Sequence, residues 1–134
     1  MERWQFDYVS RRCHCPQTAG EMVMSDADIV AKIENWLADA KNHPDIIEPT
    51  AMTVATANAE GFPSARTVLL KGLDETGAVF YTNANSQKGQ ELVINPQASL
   101  LFYWMPLKRQ IRISGAVTPT TDAESDAYFA SRRR

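Results

Sequence analysis

Residues 64–83, SARTVLLKGLDETGAVFYTN, contain two β-strand patterns joined by a turn. Ser64–Gly72 and Ala78–Asn83 are rich in residues that favour strands. The tetrapeptide DETG between them is typical of a hairpin turn. The pattern therefore predicts two antiparallel strands, and it brings Arg66 and Lys71 of the first strand beside the second.

The rest of the chain predicts three further strands, with helices at the margins of the fold. Ile29, Ile33 and Trp36 fall on one apolar stripe of helical period. The sequence ASLLFYWM is apolar at both odd and even positions, which predicts burial on both faces of that strand. Strands are predicted at Ala51–Asn58, Ala98–Met105 and Arg109–Val117, and helices at Asp26–Lys41, from Ser86 to just before Pro96, and from Thr121 onwards.

Short strands separated by turns indicate the fold class. A chain of 134 residues is expected to form one domain. The pattern predicts a mainly β fold with flanking helices (α+β), arranged as a small antiparallel barrel, and it disfavours a doubly wound parallel sheet. Residues 1–23 show neither helical nor strand period over any useful length. We therefore expect an N-terminal extension outside the core, followed by one domain at residues 24–134.

The charge distribution favours a small anionic ligand over a polyanion. The formal net charge of −2 gives no support to nucleic-acid binding. Between residues 64 and 112, however, six basic residues stand against three acidic ones. No apolar run is long enough to cross a bilayer, and the first 25 residues lack the apolar region of a signal peptide. Cys13 and Cys15 flank one histidine, which is too small a set for a structural zinc site. We expect a cytoplasmic protein with reduced thiols, without a metal, membrane or nucleic-acid partner.

The stretch FYTNANSQKGQ, Phe80–Gln90, places small polar groups and a cation after a strand. Thr82 and Ser86 supply hydroxyl groups, and Lys88 supplies an ammonium group where a helix is predicted to begin. Free N–H groups at a helix start favour an anion. The alternative remains open that Ser86 only caps the helix and that Lys88 is only a solvated cation.

Four motifs, in order and at matching spacing, carry a resemblance to a known family. They are RTVLLKG, VFYTNANSQKGQEL, LLFYWMPLKRQ and ESDAYFASR. From Asp26 to Arg134 the chain resembles about the first two-thirds of the pyridoxine (pyridoxamine) 5′-phosphate oxidase family pattern. The resemblance implies an FMN-binding split β-barrel that works as a homodimer, with FMN bound at the subunit interface.

The resemblance also implies roles for individual residues. The positions that match FMN contacts are Arg66, Thr67, Val68, Leu69, Lys71, Tyr81, Thr82, Ser86, Gln87, Lys88 and Gln110. The positions that match contacts to the substrate phosphate are Lys71, Tyr128 and Arg132. Gln87 stands where the family usually has arginine, and the loss of one charge-assisted contact costs about 1.5–3 kcal/mol, roughly ten- to a hundredfold in affinity. Arg133 stands where a proline is common.

The implied activity is that of a pyridoxal 5′-phosphate synthase, an FMN-dependent oxidoreductase of pyridoxine biosynthesis. Such an enzyme oxidises the C4′ carbon of pyridoxamine or pyridoxine 5′-phosphate, with dioxygen as acceptor and hydrogen peroxide as product. No catalytic residue is assigned. The family pattern continues past Arg134, so we expect a C-terminally incomplete domain and a poor oxidase at this length. Two alternatives are a catalytically weak FMN-binding or dimerisation remnant, and another split-barrel protein such as a flavin reductase.

Overall fold

The computed structural model describes residues 2–7 and 26–119, with side chains from Ala27 to Pro119. Within these ranges the chain forms seven strands, two α-helices and one short 3₁₀ helix. The elements are β1 (Glu2–Asp7), α1 (Asp26–Asn42), β2 (Ala51–Ala57), β3 (Pro63–Leu69), β4 (Gly72–Asp74), β5 (Gly77–Thr82), α2 (Gln87–Ile94), β6 (Gln97–Trp104), the 3₁₀ helix (Met105–Leu107) and β7 (Arg109–Pro119).

All seven strands belong to one antiparallel sheet with the order β3-β2-β6-β7-β1-β5-β4. β3 and β4 lie at opposite ends of this order, yet only Leu70 and Lys71 separate them in the chain. Leu70 donates its backbone N–H to Thr50 on the β2 side (2.9 Å), and Lys71 donates to Val79 of β5 (2.8 Å). The sheet therefore closes into a barrel at this corner, which confirms the predicted mainly β, antiparallel fold class.

The corner corrects one expectation from the sequence. The predicted strand Ser64–Gly72 is two strands, and only β4 forms the hairpin with β5, with Gly72 opposite Val79. Arg66 lies on β3, which pairs with β2 instead, opposite Val54. The change of pairing partner, from β2 for β3 to β5 for β4, is a requirement of barrel closure. It leaves no turn sequence between β3 and β4, so the local pattern could not show it.

The core lies inside the barrel and beneath α1. Met52, Val54, Phe80, Leu100 and Phe102 are almost fully buried there. On β6 the buried positions alternate with more exposed ones. On the other face of β6 Tyr103 is 62% exposed in the single chain, so the expected burial of that face against a helix or a partner subunit stays a prediction. The outer face of this sheet is open.

The N-terminal strand differs from its expectation. Glu2–Asp7 pairs with β5 on one side and with β7 on the other, so Trp4 lies opposite both Phe80 and Pro119. These six residues belong to the sheet rather than to an extension outside it. The sequence signal was the alternation of Trp4 and Phe6 with polar residues, which is too short to stand out. The boundary near residue 24 stays a prediction, because residues 8–25 lie outside the described ranges, as do Cys13, Cys15 and the helix predicted from Thr121. Neither described helix combines the length and apolar character needed to cross a membrane.

Candidate functional site

The barrel has an opening beside β3, which we call the split. β3 pairs with β2 along one edge, whereas its other edge approaches β5 without a ladder of paired residues in the described structure. At the corner, Lys71 donates its N–H to the carbonyl of Val79 on β5. The hydroxyl of Thr82, at the end of β5, lies 3.2 Å from that of Ser86, and Arg66 on β3 is close enough to Lys88 for its charge to lower the pKa of that lysine. Three of the segments predicted from the sequence therefore meet at one place.

The backbone of β3 presents alternate residues to the split. Leu70 directs its N–H to the β2 side and Lys71 directs its N–H to β5. Because backbone direction alternates along a strand, the N–H and C=O groups of Thr67 and Leu69 point to the split. The side chains of Arg66 and Val68 lie on the inner side, opposite buried residues of β2, while those of Thr67 and Leu69 are exposed on the outer side. A ligand in the split can therefore contact this segment mainly through its backbone edge.

The loop after β5 is held by short polar contacts. Ser86 caps α2: its Oγ accepts from the Gly89 N–H (3.2 Å) and donates to the Asn83 carbonyl (2.6 Å). The Thr82 hydroxyl lies 3.2 Å from the Ser86 hydroxyl. The one proton of the Ser86 hydroxyl is thus committed to Asn83. The structure shows its capping role, and its role as a phosphate ligand stays a prediction.

Gly89 allows this loop to pack closely on the first turn of α2. A Cβ atom at residue 89 would lie 2.5 Å from the Ala84 carbonyl oxygen and 2.6 Å from that of Asn83. Both distances are far below normal contact, and the neighbouring atoms are backbone. Only glycine fits here without movement of the loop, so the KG pair in the motif has a steric reason.

Lys88 and Arg66 form a pair of neighbouring cations at the split. Burial lowers the pKa of the Lys88 ammonium group, and the charge of Arg66 lowers it further. Lys88 forms no ion pair with any residue of the described ranges. The N–H groups of Gln87 and Lys88, in the first turn of α2, have no intrahelical acceptor. A bound anion would offset both the repulsion between the two cations and the removal of Lys88 from solvent.

A buried carboxylate lies behind these cations. Glu91 on α2 is only 6% exposed and accepts hydrogen bonds from the hydroxyls of Thr56 and Ser64 and from the Gln87 amide (3.0 Å). Its Oε2 lies 3.6 Å from Nη2 of Arg66. The bond from Thr56 does most to lower the pKa of Glu91, followed by those from Ser64 and Gln87 and by the charge of Arg66, while burial opposes them.

Sequence reasoning missed Glu91, Thr56 and Ser64. The only available signals were an acid next to the apolar Leu92 on a helix, and a glutamine four residues before that acid. Neither signal identifies partners that lie 27 to 35 residues away. Gln87 directs its side-chain amide to Glu91, and its predicted contact with a phosphate stays a prediction.

Two further predicted residues lie apart from the split. The side chain of Lys71 is exposed and lines a cavity of about 350 Å³ between α1 and the β3–β4 corner, together with Lys41 and Glu34. Gln110 lines another cavity, of about 210 Å³, against Trp36 of α1. Tyr128 and Arg132 lie outside the described residues. Among residues 27–119, no group of three or more His, Cys, Asp or Glu side chains is arranged to hold a metal ion.

Two solved structures resemble this arrangement. PhzG from Burkholderia lata 383, described in complex with tetrahydrophenazine-1-carboxylic acid, superposes with a TM-score of 0.73 at 31% identity, over 86% of this chain and 59% of that one. A pyridoxamine 5′-phosphate oxidase-related, FMN-binding protein from Nostoc punctiforme gives a TM-score of 0.59 at 24% identity, over 75% of this chain and 53% of that one, and supports the fold alone. The fold is that of the FMN-binding split barrels.

The sequence comparisons define the family. The family model for pyridoxamine 5′-phosphate oxidase matches residues 38–134. A pyridoxine/pyridoxamine 5′-phosphate oxidase from Bradyrhizobium diazoefficiens is 49% identical over 127 residues, which cover 94% of this chain and 58% of that protein. The chain therefore belongs to the pyridoxamine 5′-phosphate oxidase family. It spans about half the length of the curated relatives that it matches.

Proposed function

We propose that the split binds the phosphate of FMN, with Lys88 as its principal cation. The observation that carries this proposal is the position of Lys88: it is half-buried beside Arg66 and has no acidic partner in the described structure. Two neighbouring cations repel each other, and a dianionic phosphate would reverse the sign of that interaction. The donor set thus fits a phosphate, and membership of the family supports FMN as its source.

The other groups at the split have complementary roles in this proposal. The N–H groups of Gln87 and Lys88 donate to phosphate oxygens at the start of α2. The backbone edge of β3 at Thr67 and Leu69 offers donors and acceptors to the rest of the cofactor. Arg66 approaches the phosphate from the inner side, and Tyr81 and Thr82 form the opposite wall.

We further propose that the protein oxidises pyridoxamine or pyridoxine 5′-phosphate to pyridoxal 5′-phosphate in the cytoplasm, with dioxygen as acceptor and hydrogen peroxide as product. Bound FMN would supply the hydride acceptor for this chemistry. The contribution of the chain is to bind and orient, with Lys71, Tyr128 and Arg132 proposed to hold the substrate phosphate. The similarity to PhzG favours a second candidate, an oxidase of another ring-containing substrate on the same fold.

We also propose that the site is completed by a second copy of the chain. Thr67, Thr53, Leu101 and Arg112 are successive partners across β3, β2, β6 and β7. Since neighbouring strands are about 4.8 Å apart, β7 lies about 14 Å from β3 on this face. Gln110 at the start of β7 therefore lies far from the split of its own chain. A homodimer formed through this largely uncharged face would bring Gln110 of the second copy to it.

The affinities for FMN and riboflavin test the phosphate site directly. Riboflavin lacks only the phosphate, so the dissociation constant of riboflavin divided by that of FMN measures what the phosphate contributes. We expect Lys88→Gln to lower this ratio about ten- to a hundredfold, because one charge-assisted contact is lost. The matched control Lys41→Gln, on the exposed last turn of α1, should leave the ratio unchanged. An unchanged ratio in Lys88→Gln would place the phosphate elsewhere.

The proposed substrate is tested by hydrogen peroxide release. The chain should be assayed with pyridoxine 5′-phosphate, pyridoxamine 5′-phosphate and a non-phosphorylated pyridoxine control, both as it stands and extended to the length of its relatives. Release that depends on the substrate phosphate supports the proposal. Equal release without that phosphate would favour the second candidate.

A further inference from the structure

Glu91 is a buried carboxylate to which the proposed FMN site gives no role. It is buried at the interface of α2 with β2 and β3, where its two carboxylate oxygens accept from Thr56, Ser64 and Gln87. These three donors come from three different elements. Arg66 completes the cluster with its guanidinium group 3.6 Å from Oε2.

The direction of each hydrogen bond in the cluster is fixed by chemistry. Arg66 can only donate, and an ionised carboxylate can only accept. Nη1 of Arg66 lies 2.6 Å from the Thr56 hydroxyl oxygen, and Nη2 lies 2.7 Å from that of Ser64. Each hydroxyl therefore accepts from Arg66 and donates to Glu91. The two hydroxyls form parallel relays that hold both terminal nitrogens of the guanidinium group.

These relays constrain the orientation of the guanidinium plane. Two points of attachment on Nη1 and Nη2 fix a planar group far more firmly than a single contact would. A third contact, from Nη1 to the Val54 carbonyl at 3.4 Å, adds to them. Gln87, one turn before Glu91 on α2, donates to the same carboxylate. The bonds from Thr56 and Ser64 attach that helix to β2 and β3. The cation on β3 and the helix start are therefore held by one group.

We propose that Glu91 is a positioning residue for the cofactor: through Thr56 and Ser64 it orients Arg66 beside Lys88, and the same two bonds hold the start of α2 against β2 and β3. This inference rests on the proposed FMN site. Fold stability alone is a poor explanation for Glu91, because buried ion pairs are often matched or exceeded by apolar residues of similar volume. Glu91 also offsets the charge of Arg66 beside Lys88, so that both cations can be held close together before a phosphate arrives.

The test is a double-mutant cycle on FMN affinity. We expect Glu91→Gln to weaken FMN binding about tenfold, and Arg66→Ala to weaken it by at least as much. If Glu91 acts through Arg66, adding Glu91→Gln to Arg66→Ala should change the affinity less than about threefold. That remaining effect is what we expect from the hold of Glu91 on the start of α2. Independent effects would multiply instead. Glu75→Gln, which makes the same charge change in the exposed β4–β5 turn, is the matched control and should bind FMN as the parent does.

Folding is monitored separately by circular dichroism and thermal unfolding, because Glu91→Gln also removes buried hydrogen bonds. If that variant does not fold, Thr56→Val and Ser64→Ala each remove one relay and should each weaken FMN binding several-fold. Unchanged or tighter FMN binding in a folded Glu91→Gln or in both relay variants overturns the inference, as does full multiplication in the double mutant. A parent chain that binds FMN no better than riboflavin overturns the proposed phosphate site as well, so the two failures are distinguishable.

Discussion

Gly89 determines how closely the loop Asn83–Ser86 can approach α2. The loop carbonyls of Asn83 and Ala84 occupy the space where a side chain at residue 89 would begin. This contact sets the distance between the end of β5 and the helix start, and so the width of the proposed phosphate site. A single methyl group at this position should therefore affect both stability and binding.

We expect Gly89→Ala to destabilise the fold by about 1–3 kcal/mol, since the added Cβ overpacks against backbone atoms. The sign is informative, because the same change inside an ordinary helix is stabilising by about 0.5–1 kcal/mol. Urea denaturation followed by circular dichroism measures the effect. Gln90→Ala, at the next and exposed position of α2, is the control and should change stability by less than about 0.5 kcal/mol. A more stable Gly89→Ala would show that the loop moves freely.

Glu91 should make the fold sensitive to acid. Its pKa is lowered from the ordinary value of 4.5 by the hydrogen bond from Thr56 and then by Ser64, Gln87 and Arg66. A group with a lowered folded pKa contributes stability above the unfolded pKa, and this contribution is lost as the pH falls through the folded value. We expect the free energy of unfolding to fall between about pH 5 and pH 3 less steeply in Glu91→Gln than in the parent.

Glu48 also has a lowered pKa, chiefly through the Thr50 hydroxyl, but its contribution is common to both proteins. The difference between the two pH profiles therefore belongs to Glu91. Parallel profiles from pH 5 to pH 3 would mean that Glu91 titrates alike in the folded and unfolded chains.

At the scale of the residue, the local sequence predicted a side chain's role only where neighbouring residues in the chain determine that role. Ser86 was expected at a helix start, and it caps α2 there. Lys88 was expected to lie near a phosphate, and its half-buried position beside Arg66 is compatible with that expectation. Glu91 could not be predicted, because its partners Thr56 and Ser64 are brought to it by the packing of α2 on two strands.

At the scale of the element, Arg109 at the start of β7 binds α1 through two contacts. Nη1 of Arg109 lies 2.6 Å from Oδ2 of Asp39, and its guanidinium carbon lies 4.8 Å from the ring centre of Trp36. Asp39 and Trp36 both belong to α1. Lys108, immediately before Arg109, adopts a left-handed conformation that turns the chain into β7.

We expect Arg109→Ala to lower the free energy of unfolding by about 1–2 kcal/mol, because the stacking on Trp36 and the ion pair are both lost. Asp39→Asn removes only the exposed ion pair and should cost less than about 1 kcal/mol. Chemical denaturation of both variants separates the two contributions. Equal losses would assign the attachment to the ion pair and none of it to Trp36.

Element positions followed the sequence more closely than their pairing did. The helix α1 and the strands β2, β5, β6 and β7 lie close to their predicted positions, because hydrophobic period and turn residues mark them locally. The division at Leu70–Lys71 was missed, since both residues continue a strand pattern. The pairing of β1 with β5 and β7 was missed because it joins residues that are seventy or more positions apart.

At the scale of the whole molecule, the outer face of β3, β2, β6 and β7 is the open surface of the barrel. Its central row is Thr67, Thr53, Leu101 and Arg112, with Arg112 as the single charge in that row. Tyr103 on the same face of β6 is 62% exposed. Aromatic and uncharged residues at the centre of a patch are typical of protein interfaces.

We expect Thr53→Lys to convert a dimer into a monomer, because a charge at the centre of the face would be desolvated against its own copy. FMN affinity should fall with it if Gln110 of the second copy contributes to the site. Ala59→Lys, with the same charge change in the exposed β2–β3 turn, should remain dimeric. Sedimentation at micromolar concentration measures both, and a folded parent that is monomeric there would contradict the proposed homodimer.

The edge of β3 at the split should be detectable by its rates of amide hydrogen exchange. The amide protons of Thr67 and Leu69 point away from β2, so they should exchange with deuterium in solution much faster than those of Arg66 and Val68, although all four residues belong to one strand. Fast exchange inside a strand is otherwise a mark of local opening. Here no opening is needed, because within the described residues neither amide takes part in a ladder hydrogen bond. Slowing of the two fast amides by FMN, with the two slow amides unchanged, would locate the cofactor along this edge, residue by residue.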